Sequence, residues 1–130
     1  MKRFYFFSFF LLEIIIATSL YQQQVPKELQ GKWNLRASAN KLIGNIEIKS
    51  DGKYYYTALP NYKESGVLTV NSKMEIDLVV KTKAGSSITR GIYKIVNSQL
   101  QICLGKKNGD RPVKFETNPK TNVILWLGTK

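Results

Sequence analysis

Few side chains in this sequence are suited to catalysis. The 130 residues include 20 Lys+Arg, 9 Asp+Glu, one Cys and no His. Without histidine there is no Ser-His-Asp or Cys-His relay, no imidazole base and no histidine-containing zinc site. The single thiol, Cys103, can form neither an internal disulfide nor a thiolate metal cluster. It lies between Ile102 and Leu104 with no neighbouring motif to lower its pKa, so we read it as a packed side chain, with a reactive thiol as the alternative. No Gly-rich phosphate loop, Gly-x-Ser-x-Gly elbow or calcium-loop spacing occurs. Glu47, Glu75, Asp77 and Glu116 fall at outward strand positions, and no spacing favours a glycosidase pair. We therefore expect no catalytic residue, no metal and no cofactor, and hence no enzyme.

What remains suits binding. Tyr54, Tyr55 and Tyr56 stand in a row, and on a strand they alternate faces, so Tyr54 and Tyr56, or Tyr55 alone, face the interior. A buried phenol needs a hydrogen-bond partner and makes a polar handle in an apolar cavity; ordinary cross-strand packing is the plainer reading. Arg111, after Gly109-Asp110 and before Pro112, either pairs with a carboxylate and covers one end of the fold or clamps an anion with its guanidinium fork. Trp33 is a core anchor or, alternatively, a wall for stacking a ligand. Together with Phe115, expected inside, the candidate ligand-binding residues are Trp33, Tyr54, Tyr56, Arg111 and Phe115.

The formal net charge is +11. Lysines spread over turns and edges usually solvate and protect a sheet. The clusters Lys81/Lys83/Arg90 and Lys106/Lys107/Arg111/Lys114 also suit anionic polymers, lipid headgroups or cell-wall material. No aromatic-interleaved RNA-binding motif is present, and nucleic acid is not an expected partner.

The N-terminus supplies an address. Met1-Lys2-Arg3 is a short basic start, residues 4–16 are apolar apart from Ser8 and Glu13, and Ala17-Thr18-Ser19 offers small residues for cleavage. This is the three-part pattern of a secretory signal peptide over 1–19. The apolar run is shorter than the roughly 20 residues of a spanning helix. The expectation is a secreted or periplasmic protein with no stable membrane span after cleavage, an uncleaved anchor being the alternative.

The elements that position these residues are strands. Residues 20–30 carry Pro26 and then Lys-Glu-Leu-Gln, which suits one helical turn. From Gly31 the apolar residues alternate: Trp33 and Leu35, Ile46 and Ile48, Ile76 with Leu78 and Val80, Leu100 with Ile102 and Leu104. Further strands are expected from Lys53, over 67–70, from Thr89 to Val96, as a short strand over 113–117, and over 123–127. Ser50-Asp51-Gly52, Pro60-Asn61, 71–73, 84–87 and Asn97-Ser98 break them. Turn signals every 8–12 residues or so, without a sustained helical period, indicate an antiparallel sandwich or barrel. With no disulfide available, a barrel of about eight strands over 31–130 is favoured because closure removes both edges. The predicted interior is Trp33, Leu35, Ile46, Ile48, Leu68, Val70, Ile76, Leu78, Leu100, Ile102, Phe115 and Leu125.

Two stretches resemble known barrels. Leu29-Gln30-Gly31-Lys32-Trp33 is similar to the Gly-x-Trp opening of lipocalin and calycin barrels. Gly91-Ile92-Tyr93, Leu100-Gln101-Ile102-Cys103, Arg111-Pro112-Val113-Lys114-Phe115 and a terminal apolar strand ending at Lys130 together resemble a small lipocalin-like family common in planctomycete bacteria. The likeness covers roughly 29–130. It implies an all-β lipocalin-like barrel with Trp33 plugging the base and a basic side chain, Arg111 or Lys130, packed over it. It implies no activity, since none is established for that family.

The expected function is that of an exported, non-catalytic binding barrel with a small hydrophobic or amphipathic anionic ligand inside. The alternative is a solid-core module that binds an envelope protein or anionic polymer through its basic surface. The discriminating quantity is an internal cavity of at least ~300 Å³.

Overall fold

The computed structural model describes residues 25–37 and 40–130. The expected signal peptide, 1–19, lies outside the described residues. Eight strands follow one another: β1 (Gly31–Arg36), β2 (Leu42–Ile48), β3 (Lys53–Ala58), β4 (Tyr62–Val70), β5 (Glu75–Thr82), β6 (Gly85–Val96), β7 (Gln99–Leu104) and β8 (Ile124–Thr129). Each pairs antiparallel with its sequence neighbours in a closed barrel. The seam is β1 on β8, with Asn34 opposite Thr129, Leu35 opposite Gly128 and Arg36 opposite Leu127. Closure leaves no edge strand among the described residues to template association.

Alternation sets the inner face. Trp33 and Leu35, Ile46 and Ile48, Ile76 and Leu78, and Leu100 and Ile102 are all buried, as their period of two requires when one sheet face meets a core. The turns are chemically suited to their positions. Asn97 and Ser98 both have positive φ, 52° and 63°, the backbone of a two-residue hairpin whose twist matches its strands. Gly52, at φ +91°, closes the β2–β3 turn, and Asp51 Oδ1 accepts from Lys53 N at 3.0 Å.

Below β1, Pro26 precedes a single 3-10 turn, Lys27–Leu29. Val25 and Leu29 are buried against the barrel floor. The one helical turn expected after Pro26 is thus present and closes that end.

Three strand expectations change. β4 starts at Tyr62 rather than 67, because residues 62–67 pair with β3 along its whole length. The 84–87 loop is mostly strand, since β5 and β6 continue to a tight turn after Thr82. The short strand expected over 113–117 does not form. Those residues bend across the outer wall within the excursion from β7 to β8. A closed barrel offers them no free edge to pair with.

Candidate functional site

One end of the barrel is sealed by Trp33. Its indole is 1% exposed, and Nε1 donates to Leu29 O at 2.9 Å. Lys130 Nζ lies 4.8 Å from the ring centroid. Of the two basic candidates for this position, Lys130 takes it. The ammonium rests on the negative face of the π-system, a contact worth about 0.5–2 kcal/mol. Trp33 is therefore built into the floor and presents no face to a guest.

The opposite end is a cup. Its cavity of about 170 Å³ is lined by residues that include Tyr56, Tyr62, Glu64, Thr89 and Trp126. β3 points Tyr54 and Tyr56 inward, and β4, paired with it, points Tyr62, Glu64, Gly66 and Leu68 inward. Tyr54 is fully buried and lies opposite Gly66. A Cβ at Gly66 would stand 3.0 Å from Tyr54 Cε1 and would also collide with Val79 O. The missing side chain lets the Tyr54 ring cross β4, and its hydroxyl donates to Glu64 Oε2 at 3.0 Å. Tyr62 donates to Glu64 Oε1 at 3.1 Å. Each carboxylate oxygen thus holds one phenol.

Aromatic rings wall the cup. Tyr56 and Trp126 stack with centroids 5.3 Å apart and planes 18° from parallel. They belong to β3 and β8, which are not neighbours, so the stack spans the barrel above the packed core. Tyr62 meets Tyr56 edge-on at 6.0 Å. All three phenols have raised pKa values, and Tyr54 and Tyr62 donate to Glu64. Burial, then the Glu64 charge and hydrogen bond, pushes the Tyr54 phenol well above its ordinary value. Burial and the Glu64 charge raise Tyr56, while the hydrogen bond to Glu64 is the main cause at Tyr62. Among the described residues, no lysine or arginine makes an ion pair with Glu64.

Arg111 lies outside the barrel. Its Nη1 donates to Ile76 O at 3.1 Å and to Gly91 O at 2.8 Å. These two residues are register partners on β5 and β6, so the guanidinium pins the strands together. Nε is 3.4 Å from Glu75 Oε2 and Nη2 is 2.8 Å from Asp77 Oδ1. The Asp77 contact lies off the N–H direction and counts as an ion pair without a hydrogen bond. Arg111 thus takes the carboxylate-pairing alternative, and its fork is already occupied.

Phe115 and Leu125, expected inside, are outside. Lys94 Nζ sits 4.5 Å from the Phe115 ring centroid on the outer wall. In β8 the register opposes Trp126 to the inward Ile102 and Leu125 to the outward Cys103, so the inward residue is one position later than expected. Cys103 is buried beneath the excursion, with Sγ 3.3 Å from Lys114 O and 3.6 Å from Glu116 O. Burial raises its pKa, as for a packed thiol. Glu116 belongs to the excursion and not to a strand.

The excursion itself shapes a second concavity, about 540 Å³, whose lining includes Lys106, Lys114, Lys120, Asp110 and Glu116. Among the described residues these three lysines form no salt bridge.

Of the predicted ligand residues, only Tyr56 lines the cup; Tyr54 is buried beside it and reaches it through its hydrogen bond to Glu64. Glu64, Tyr62 and Trp126 were missed. Stepping back from Leu68 by twos reaches Gly66, Glu64 and Tyr62, and this signal was available. The polar composition of the segment hid it.

Together these features define a small closed antiparallel barrel, plugged at one end and cupped at the other. No family model, curated protein or solved structure matches the chain.

Proposed function

We propose that the protein is an exported, lipocalin-like, non-catalytic binding barrel that works through its basic exterior on an anionic polymer of the cell envelope. One observation carries this reading. The internal cup measures about 170 Å³, below the ~300 Å³ of ordinary ligand pockets, whereas the outer concavity measures about 540 Å³. Lys106, Lys114 and Lys120 line that concavity and have no salt-bridge partner among the described residues. The net charge of +11 adds long-range attraction for polyanions. The 3-10 turn before β1 and the lysine over the floor tryptophan support the lipocalin-like assignment. Glu64 counts against an amphipathic anion inside the barrel, because its carboxylate faces the cup.

The test is retention on immobilised heparin, used as a polyanion probe, at rising salt. Wild type should be retained at low salt and released steeply, since screening shortens the reach of exposed charges. Lys106→Gln/Lys114→Gln/Lys120→Gln should elute clearly earlier. Salt-insensitive retention, or a triple variant that elutes with wild type, would reject this surface as the binding face.

A further inference from the structure

We infer that the cup is a second binding site, of opposite electrostatic preference, for a small primary alkylammonium ion held by Glu64 against the Tyr56–Trp126 stack. Glu64 faces the cup with one phenol on each oxygen. A carboxylate offers about four lone-pair directions, so about two remain for N–H donors. Both phenols are tied to β strands and need no rearrangement to hold the carboxylate in place.

The walls suit the rest of such a ligand. Ile46, Leu78 and Leu104 line the bottom of the cup and the aromatic rings its sides. An ammonium near a tyrosine or indole gains from the ring's negative face. The same barrel already uses this contact at its floor, where Lys130 covers Trp33. At the cup the rings and a carboxylate are present, and among the described residues no lysine or arginine stands over Tyr56 or Trp126.

Size and charge narrow the class. A volume of about 170 Å³ holds about five or six water-sized groups, which fits an ammonium with a short alkyl tail. A metal ion is a poorer guest. Among the described residues Glu64 is the one charged residue lining the cup, and hard cations want several oxygen ligands with carboxylates among them. An organic anion would meet Glu64 directly. The positive net charge opposes approach of a cation from a distance, but screening limits that effect beyond about 8 Å at physiological salt.

The experiment is a titration of the full-length protein with propylammonium, followed through the Trp126 indole N–H resonance, assigned with Trp126→Phe. Propionate and 1-propanol at matched ionic strength are the controls. Propylammonium should shift the Trp126 signal saturably and leave Trp33 unmoved. Propionate should produce no saturable shift, and propanol should bind about tenfold or more weakly, as expected for loss of a charge-assisted contact. Glu64→Gln keeps an acceptor for the phenols and should weaken propylammonium binding by a similar factor. The proposal is overturned if propylammonium gives no saturable shift, if propionate or propanol binds as well, or if Glu64→Gln binds undiminished. The ligand series alone decides the question if Glu64→Gln fails to fold.

Discussion

The two ends of the barrel use the same materials to opposite ends. At the floor, an indole, a backbone carbonyl and a lysine complete one another: Trp33 donates to Leu29 O, and Lys130 covers its ring. At the cup, Trp126 and Tyr56 stack beside a carboxylate whose partners are phenols, and no protein cation joins them among the described residues. The floor indole is buried and its N–H satisfied; the cup keeps a cavity of about 170 Å³. A barrel can thus separate its stabilising plug from its receptive end by the length of its strands. The difference lies in the polar partners: the Trp33 N–H is satisfied by a backbone carbonyl, whereas Glu64, with one phenol on each oxygen, keeps spare acceptor capacity.

Substitutions at the two ends should separate these roles. The largest effect is expected at the floor. Trp33→Ala removes the plug and should destabilise the protein by about 3–5 kcal/mol; a melting temperature equal to wild type would make the floor as dispensable as the cup.

Next comes Tyr54→Phe, which removes one phenol from Glu64 and should cost about 1 kcal/mol in denaturant unfolding. It also carries a pH signature. The Tyr54 pKa is raised in the folded protein, so the native state holds a proton that the unfolded chain releases above about pH 10. Stability is then fully present below about pH 10 and falls as pH rises beyond it. Tyr54→Phe should flatten that alkaline fall without abolishing it, because Tyr56, Tyr62, Tyr93 and Cys103 are also raised. An unchanged alkaline slope would show that the Glu64–Tyr54 contact does not stabilise the cup end.

The smallest effect belongs to Lys130→Met, which keeps an apolar cover over Trp33 and loses the charge. It should cost about 0.5–1 kcal/mol at this exposed position. A melting temperature indistinguishable from wild type in low salt would leave the floor closed by burial alone.

Much of the fold was legible because a half-buried strand writes its own period. Trp33/Leu35, Ile46/Ile48 and Leu100/Ile102 alternate as a wall with one wet face must, and Asn97-Ser98 carries the turn chemistry of a short hairpin. The cup was less legible. The first half of β4, Tyr-Lys-Glu-Ser-Gly, has the polarity and glycine of a loop, and only pairing with the tyrosine-rich β3 makes it a strand. The reverse occurred at 113–117, where Val113 and Phe115 alternate with Lys114 and Glu116 as in a strand. Local pattern cannot pair a strand once β7, β8 and β1 have closed the sheet. That segment instead covers Cys103 and brings Arg111 onto Glu75 and Asp77, a placement that depends on how the excursion folds back.

The amino-acid order by itself determined that the described chain would be strands with a buried tryptophan at the start of the first, because alternation and turn residues act over only a few positions. The tertiary structure alone decided that Glu64 would face inward between two phenols and that Arg111 would serve as an outer pin. Both depend on register and closure between segments distant in sequence, where a shift of one residue turns every side chain to the other face.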